Sequence, residues 1–185
     1  MEALQNDDKH YTWADYIAWD EKIRCELIDG MLYMMTAPSV MHQNICGSLF
    51  YQLFDFLKGK PCKVFIAPFD VRLDIDKGDD TVVQPDILVV CDKEKLDQKG
   101  CLGAPDLVVE ILSPSSGTLD KVLKFNKYLQ AGVREYWIVD PDSKAVNVYV
   151  LENGKYVASA YSEEDSMPSH VLEGCTITLA DVFAE

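Results

Sequence analysis

Apolar residues at positions 45, 46, 49, 50, 53, 54 and 57 recur at intervals of three and four. That is the spacing of one helical face, and it predicts a helix over 40–58 stopped by Gly59. A second, weaker helical signal covers 119–130 and ends at Gly132. A short helix is expected over 11–20, with Thr12 as its N-cap and Asp15 completing a variant of the capping box. Elsewhere the period shortens. Asp29-Gly30 between apolar runs predicts a hairpin over 24–35. Strands are expected over 63–67, 70–75, 82–91, 107–112, 135–140, 145–151 and 155–161, with a last short one near 176–179. Segments 76–80 and 92–103 read as a turn and a charged loop. The runs 87–90 and 107–111 are apolar and β-branched almost throughout, as in central strands covered on both faces. This order of elements predicts one α/β (α+β) domain over 1–185, with a mixed central sheet flanked by helices.

Length and composition agree with that picture. The chain has 185 residues, 48% of them hydrophobic and 26% charged. A domain of that size buries roughly 70% of its unfolded surface. No apolar run approaches the roughly 20 residues of a membrane span. The first residues are polar, without the apolar core of a secretion signal, so a cytoplasmic protein away from membranes is expected. Cys25, Cys46, Cys62, Cys91, Cys101 and Cys175 form no C-x-x-C pair and are expected to be reduced thiols. The formal net charge of −14 disfavours unaided, sequence-blind binding of nucleic acid. A metal ion or a local basic strip would have to supply the attraction.

Two acidic residues stand at positions where carboxylates are expensive. Glu110 interrupts the apolar run 107–112, and Asp86 follows Pro85 at the head of 87–90. Each needs a partner if buried. A hard divalent cation would satisfy both; a strand-start cap for Asp86 and an ion pair with a lysine for Glu110 would also do. Glu26, in the hairpin, is a third candidate, or it faces water. Lys121, Lys124 and Lys127 punctuate the helix after Glu110. They either form exposed pairs such as Asp120–Lys124 or point a lysine back at the strand end. His42 and Gln43 open the long helix; a lone His there is more often a surface or capping residue, and both are kept as other candidate site residues. No G-x-S-x-G elbow, P-loop or G-x-G-x-x-G occurs.

Several segments together resemble one family. They are Cys25–Gly30, His42-Gln43, Asp70-Val-Arg-Leu, Gln84-Pro-Asp-Ile-Leu-Val-Val, Ala104-Pro-Asp-Leu-Val-Val-Glu-Ile-Leu-Ser-Pro-Ser, Asp120-x-x-x-Lys124 and Ala131-Gly-Val-Arg-Glu-Tyr-Trp-Ile-Val-Asp-Pro. Over roughly 10–160 the chain resembles the Uma-two family of restriction-endonuclease-like proteins, within the PD-(D/E)XK nuclease superfamily. The resemblance implies a restriction-endonuclease-like core and hydrolysis of DNA phosphodiester bonds with Mg²⁺ or Mn²⁺. It implies metal binding by Asp86, Glu110 and the Ile111 carbonyl, helped by Glu26. The superfamily lysine falls two residues after the second acid, where this chain has Leu112; the resemblance implies that Lys124 replaces it. Lys121, Lys127 and Arg134 would form a basic strip for DNA. A homodimer is expected, with Tyr149, Tyr156 and Tyr161 as candidate contacts. Two other readings stand beside it: a non-catalytic nucleic-acid-binding or assembly protein that retains the fold, and a metal-dependent hydrolase or nuclease acting on a special substrate such as branched or damaged DNA.

Overall fold

The structure, a computed structural model, describes residues 9–19, 24–113 and 120–184. The expected hairpin forms from β1 (Cys25–Ile28) and β2 (Met31–Met34). Its turn residues Asp29 and Gly30 both adopt positive φ, 51° and 74°, the combination that a two-residue turn matching strand twist demands. The long helix is α2 (Val40–Leu57), capped by the Ser39 hydroxyl, which accepts from the His42 amide at 3.1 Å. The first helix is only one turn, α1 (Trp13–Tyr16), held by the Thr12 amide donating to the Asp15 carboxylate at 3.0 Å.

The expected strand over 82–91 is two strands in different sheets, β5 (Val82–Val83) and β6 (Ile87–Val90). Pro85 lies between them and has no amide proton to continue a ladder. The five-stranded sheet runs β2-β1-β5-β4-β7, with β4 (Asp70–Arg72) and β7 (Gly100–Leu102). β7 falls in the segment expected to be a charged loop. The six-stranded sheet runs β11-β10-β9-β8-β6-β3. It contains β3 (Lys63–Ile66), β8 (Leu107–Ile111), β9 (Glu135–Asp140), β10 (Ala145–Glu152) and β11 (Lys155–Ser162). Only β8 and β9 pair in parallel within it. A parallel pair needs a crossover. Here the crossover ends in a π-helical turn (Asp120–Lys124) leading into α3 (Phe125–Ala131), which Gly132 closes at φ 86°. A two-stranded ribbon, β12 (Ser166–Pro168) with β13 (Thr176–Thr178), and a last turn, α4 (Leu179–Val182), complete the chain.

Strand alternation assigns every face. Odd positions of β6, β8 and β9 (Ile87, Val89, Leu107, Val109, Ile111, Trp137, Val139) pack against α2 and the C-terminal ribbon. Even positions (Leu88, Val90, Val108, Tyr136, Ile138) pack against Ile28, Val71 and Val83 of the smaller sheet and Tyr128 of α3. The outer face of the smaller sheet (Cys25, Leu27, Val82) is covered by Trp13. By the same parity Glu26, Asp86 and Glu110 all belong to the layer between the two sheets.

Two expectations about particular side chains change. Cys62 and Cys91 are joined as a disulfide, because they fall one step beyond the β3–β6 pair Lys63↔Val90. Cys25, Cys46, Cys101 and Cys175 are free and buried. Alkylation of the unfolded, unreduced chain is therefore expected to label four thiols, and the native chain essentially none, when read by intact mass. Six labels on the unreduced chain would refute the bond. Tyr149 and Tyr156 are packing residues rather than open contacts. Phe125 meets them edge-on, with ring centroids 5.0 and 5.2 Å away, and the Tyr156 hydroxyl donates to the Val133 carbonyl at 3.0 Å. Tyr161 packs, partly buried, against the α2 side of the core. Among the described residues, no helix is long and apolar enough to cross a membrane.

Candidate active site

β6 and β8 are antiparallel with Ile87 opposite Val109. One step further in the same register, Asp86 stands opposite Glu110. The Ile111 amide donates to Asp86 Oδ2 at 2.8 Å, and His42 Nε2 lies 3.2 Å from that same oxygen. Asp86 Oδ1 has no protein partner among the described residues. Glu110 is 4% exposed. Its Oε1 accepts from the Tyr128 hydroxyl at 2.6 Å and from Lys124 Nζ at 3.0 Å. Glu26, fully buried on β1, accepts the Gln84 amide on Oε1 at 2.6 Å and lies 2.9 Å from the same Lys124 amine.

The Lys124 ammonium thus joins two carboxylates that arrive on different sheets. Only 2% of its side chain is exposed. Ion pairs this deep are set by desolvation as much as by attraction, so the partners must match in number and geometry. Burial, together with the charges of Glu110 and Glu26, pushes the Tyr128 phenol well above its ordinary range. Tyr128 therefore stays protonated and donates. The Cys46 thiol, whose Sγ is 3.9 Å from the Asp86 carbonyl, is pushed up to about 12 by burial and by Asp86 and Glu110. It is not a nucleophile at neutral pH.

These groups border an open cleft of about 490 Å³ that Asp86, Glu110, Ile111 and Lys124 share with Arg24 and Gln84. The donors suit a hard cation: carboxylate and carbonyl oxygens, with Asp86 Oδ1 uncommitted. Among the described residues, no three His, Cys, Asp or Glu side chains gather into a ready metal-binding group. Ligation would thus use two carboxylates plus carbonyl and solvent oxygens, a common mode for Mg²⁺, which keeps much of its water.

The comparisons can now be set beside this geometry. A family model described as "Putative restriction endonuclease", Uma2, matches residues 13–180. The chain belongs to the Uma2 family. A relative from Synechocystis sp., printed as "Uncharacterized protein slr1290", is 28% identical over 83% of this chain and 81% of its own length. A second from the same organism, "Uncharacterized protein sll1609", is 26% identical over 71% of this chain and 76% of its own. The crystal structure of a "putative nuclease belonging to DUF820" from Anabaena variabilis superposes with a TM-score of 0.77. At 20% identity over 94% of this chain and 97% of that one, the likeness is one of fold.

Within this Uma2 chain, Glu26, Asp86, Glu110, Ile111, Lys124 and His42 come together, and Gln43 lines the same cleft. The basic strip does not assemble there. Lys127 is bonded to Asp29 beside a different cleft, and Arg134 pairs with Asp106 at 3.1 Å. The Lys121 side chain lies outside the described residues. Sequence reasoning missed Tyr128, Gln84 and Arg24. Tyr128 carried a usable signal: it stands four residues after Lys124, on the same helical face. Gln84 and Arg24 carried none, since each reaches the cleft through tertiary contacts.

Proposed function

We propose that this protein is a divalent-metal-dependent endonuclease that hydrolyses phosphodiester bonds of DNA. The observation that carries the reading is the convergence of Asp86 and Glu110, through the β6–β8 register, with Lys124 on one open cleft. Asp86, Glu110 and the Ile111 carbonyl would hold Mg²⁺ or Mn²⁺. When bound, such an ion supplies Lewis acidity toward the scissile phosphate and the attacking water. The chain's own groups do the rest. The Ile111 amide and His42 fix the Asp86 carboxylate. Tyr128 holds Glu110 Oε1 from below. Lys124 Nζ, an ammonium between Glu26 and Glu110, would position the attacking water or, after giving up its own proton, deprotonate it, in place of the lysine that Leu112 displaces. Arg24, at the cleft wall, offers a cation to the phosphate.

One observation favours the second reading, a nucleic-acid-binding or assembly module without catalysis. Lys124 is already committed to two carboxylates. Calorimetric titration of Mn²⁺ separates the two. The nuclease reading expects one saturable site in the wild type, lost in both Asp86→Ala and Glu110→Ala, with circular dichroism confirming that each variant is folded. A folded wild type that neither binds Mn²⁺ nor cuts plasmid or oligonucleotide DNA with it would overturn the reading.

A further inference from the structure

We propose that the groove beside the cleft is a binding site for an unpaired nucleic-acid strand, one base of which stacks on its aromatic wall. The direction of the strand, out of the cleft, rests on the nuclease reading; the groove itself does not. It has a volume of about 660 Å³ and is lined by Trp13, Tyr16, Trp19, Arg24, Gln84 and Lys99, among others. Arg24 and Gln84 also line the candidate catalytic cleft, so the two spaces adjoin at these side chains.

Three features of this wall fit one ligand chemistry. The first is its aromatic content. Trp13 and Tyr16 stack with ring centroids 5.6 Å apart, and Trp19 meets Tyr11 edge-on at 5.7 Å. Stacked rings held this way form a rigid platform, and bases stack on such platforms whatever the sequence.

The second feature is positive charge in a chain whose formal net charge is −14. Arg24 and Lys99 make no ion pair among the described residues. The Lys99 ammonium lies 5.7 Å from the Trp13 ring centroid, beside the platform rather than against a carboxylate. Lys127 and Arg134, by contrast, are both spent on acids. The one carboxylate among the described residues that line the groove, Asp70, is engaged by the Tyr16 hydroxyl at 3.1 Å and the Gln84 side-chain amide at 2.8 Å.

The third feature is an unused acceptor. Gln84 spends its amide nitrogen on Asp70 and the Tyr16 hydroxyl, while its buried Oε1 accepts nothing. A base amino group is a donor of the kind such an oxygen lacks. Paired bases keep their faces stacked within the duplex and cannot lie on this wall. The ligand is therefore a single strand, or an end or junction with splayed bases, and not intact B-form duplex.

The test is binding without cleavage. Labelled oligodeoxycytidine and oligocytidine of about eight nucleotides, and a hairpin duplex of equal length, are titrated into the full chain in EDTA. Anisotropy and tryptophan emission are read together. Tighter binding of either single strand than of the duplex, with quenching of emission, supports the site and names the sugar it takes. Trp19→Ala is expected to weaken that binding about tenfold and Lys99→Glu about fivefold. Lys99 is exposed, so its variant retains the fold even if Trp19→Ala does not. Equal affinity for duplex and single strand, or variants that bind as tightly as the wild type, would overturn the groove. Cleavage is measured separately with Mn²⁺. Wild type and Lys99→Glu that cut and bind alike would sink the groove and leave the nuclease standing. A wild type that binds single strands through Lys99 but cuts nothing would sink the nuclease and leave the groove.

Discussion

Lys124→Met is expected to lower cleavage about 100- to 10,000-fold, the range for losing a positioned proton-transfer group, and to destabilise the protein as well. The second effect comes from what remains. Glu26 and Glu110 are 0% and 4% exposed, and the Lys124 amine lies 2.9 and 3.0 Å from them. Removing the cation that lies between them leaves two carboxylates facing each other in an apolar layer, for which roughly 3–5 kcal/mol is the usual penalty. The penalty should shrink as pH falls, because protonating one carboxylate removes the repulsion. Urea unfolding at several pH values reads this directly. Lys124→Arg separates the two roles. It restores a cation and part of the stability, but a guanidinium does not give up a proton in proteins, so cleavage stays low. Full cleavage by a stable Lys124→Arg protein would show that Lys124 only holds the site together.

A second large effect is expected far from the cleft. Glu135, fully buried, sits at the start of β9 on the face that carries Trp137. Its Oε1 accepts the Trp137 indole N–H at 2.8 Å. Its Oε2 accepts the Ser169 hydroxyl and the amides of His170 and Val171, at 2.8, 2.9 and 2.8 Å. This carboxylate fastens the C-terminal segment to the main sheet. Glu135→Ala strands four donors, each lost bond to a charged group being worth about 1.5–3 kcal/mol before relaxation. After rearrangement of the segment we expect a net loss of roughly 3–5 kcal/mol. For a domain of this size that lowers Tm by roughly 6–20 °C, read by calorimetry. Metal binding at Asp86 and Glu110 should survive below the lowered Tm. An unchanged Tm would mean that the segment docks by its apolar residues alone.

Much of this architecture was legible beforehand, for identifiable reasons. The 3.6-residue period of α2 and the Asp29-Gly30 turn are local signals, and both elements lie where they were expected. Glu110 stood out because a carboxylate in an apolar strand demands a partner. Asp86 stood out because Pro85 announced a strand start. The break at Pro85 was underestimated: it does not merely begin a strand but moves the chain from one sheet to the other. Lys121, Lys124 and Lys127 read as one strip because their spacing is helical. Three residues fall short of a full α-helical turn, so Lys124 faces inward while Lys127 reaches Asp29. Glu135 gave no warning, since a carboxylate at a strand start is ordinary until a distant segment closes over it. Arg24, Gln84 and the aromatic wall depend on how the smaller sheet lies against the larger one, and no local pattern records that.

That docking has a consequence for when the protein becomes armed. Glu26 is delivered by the smaller sheet, Asp86 and Glu110 by the larger, and Lys124 by the crossover that joins β8 to β9. No fragment, nascent chain or half-unfolded form holds the whole set. Competence therefore arrives with the last tertiary contacts and vanishes with the first to open. On the nuclease reading, assembly itself acts as the safety catch.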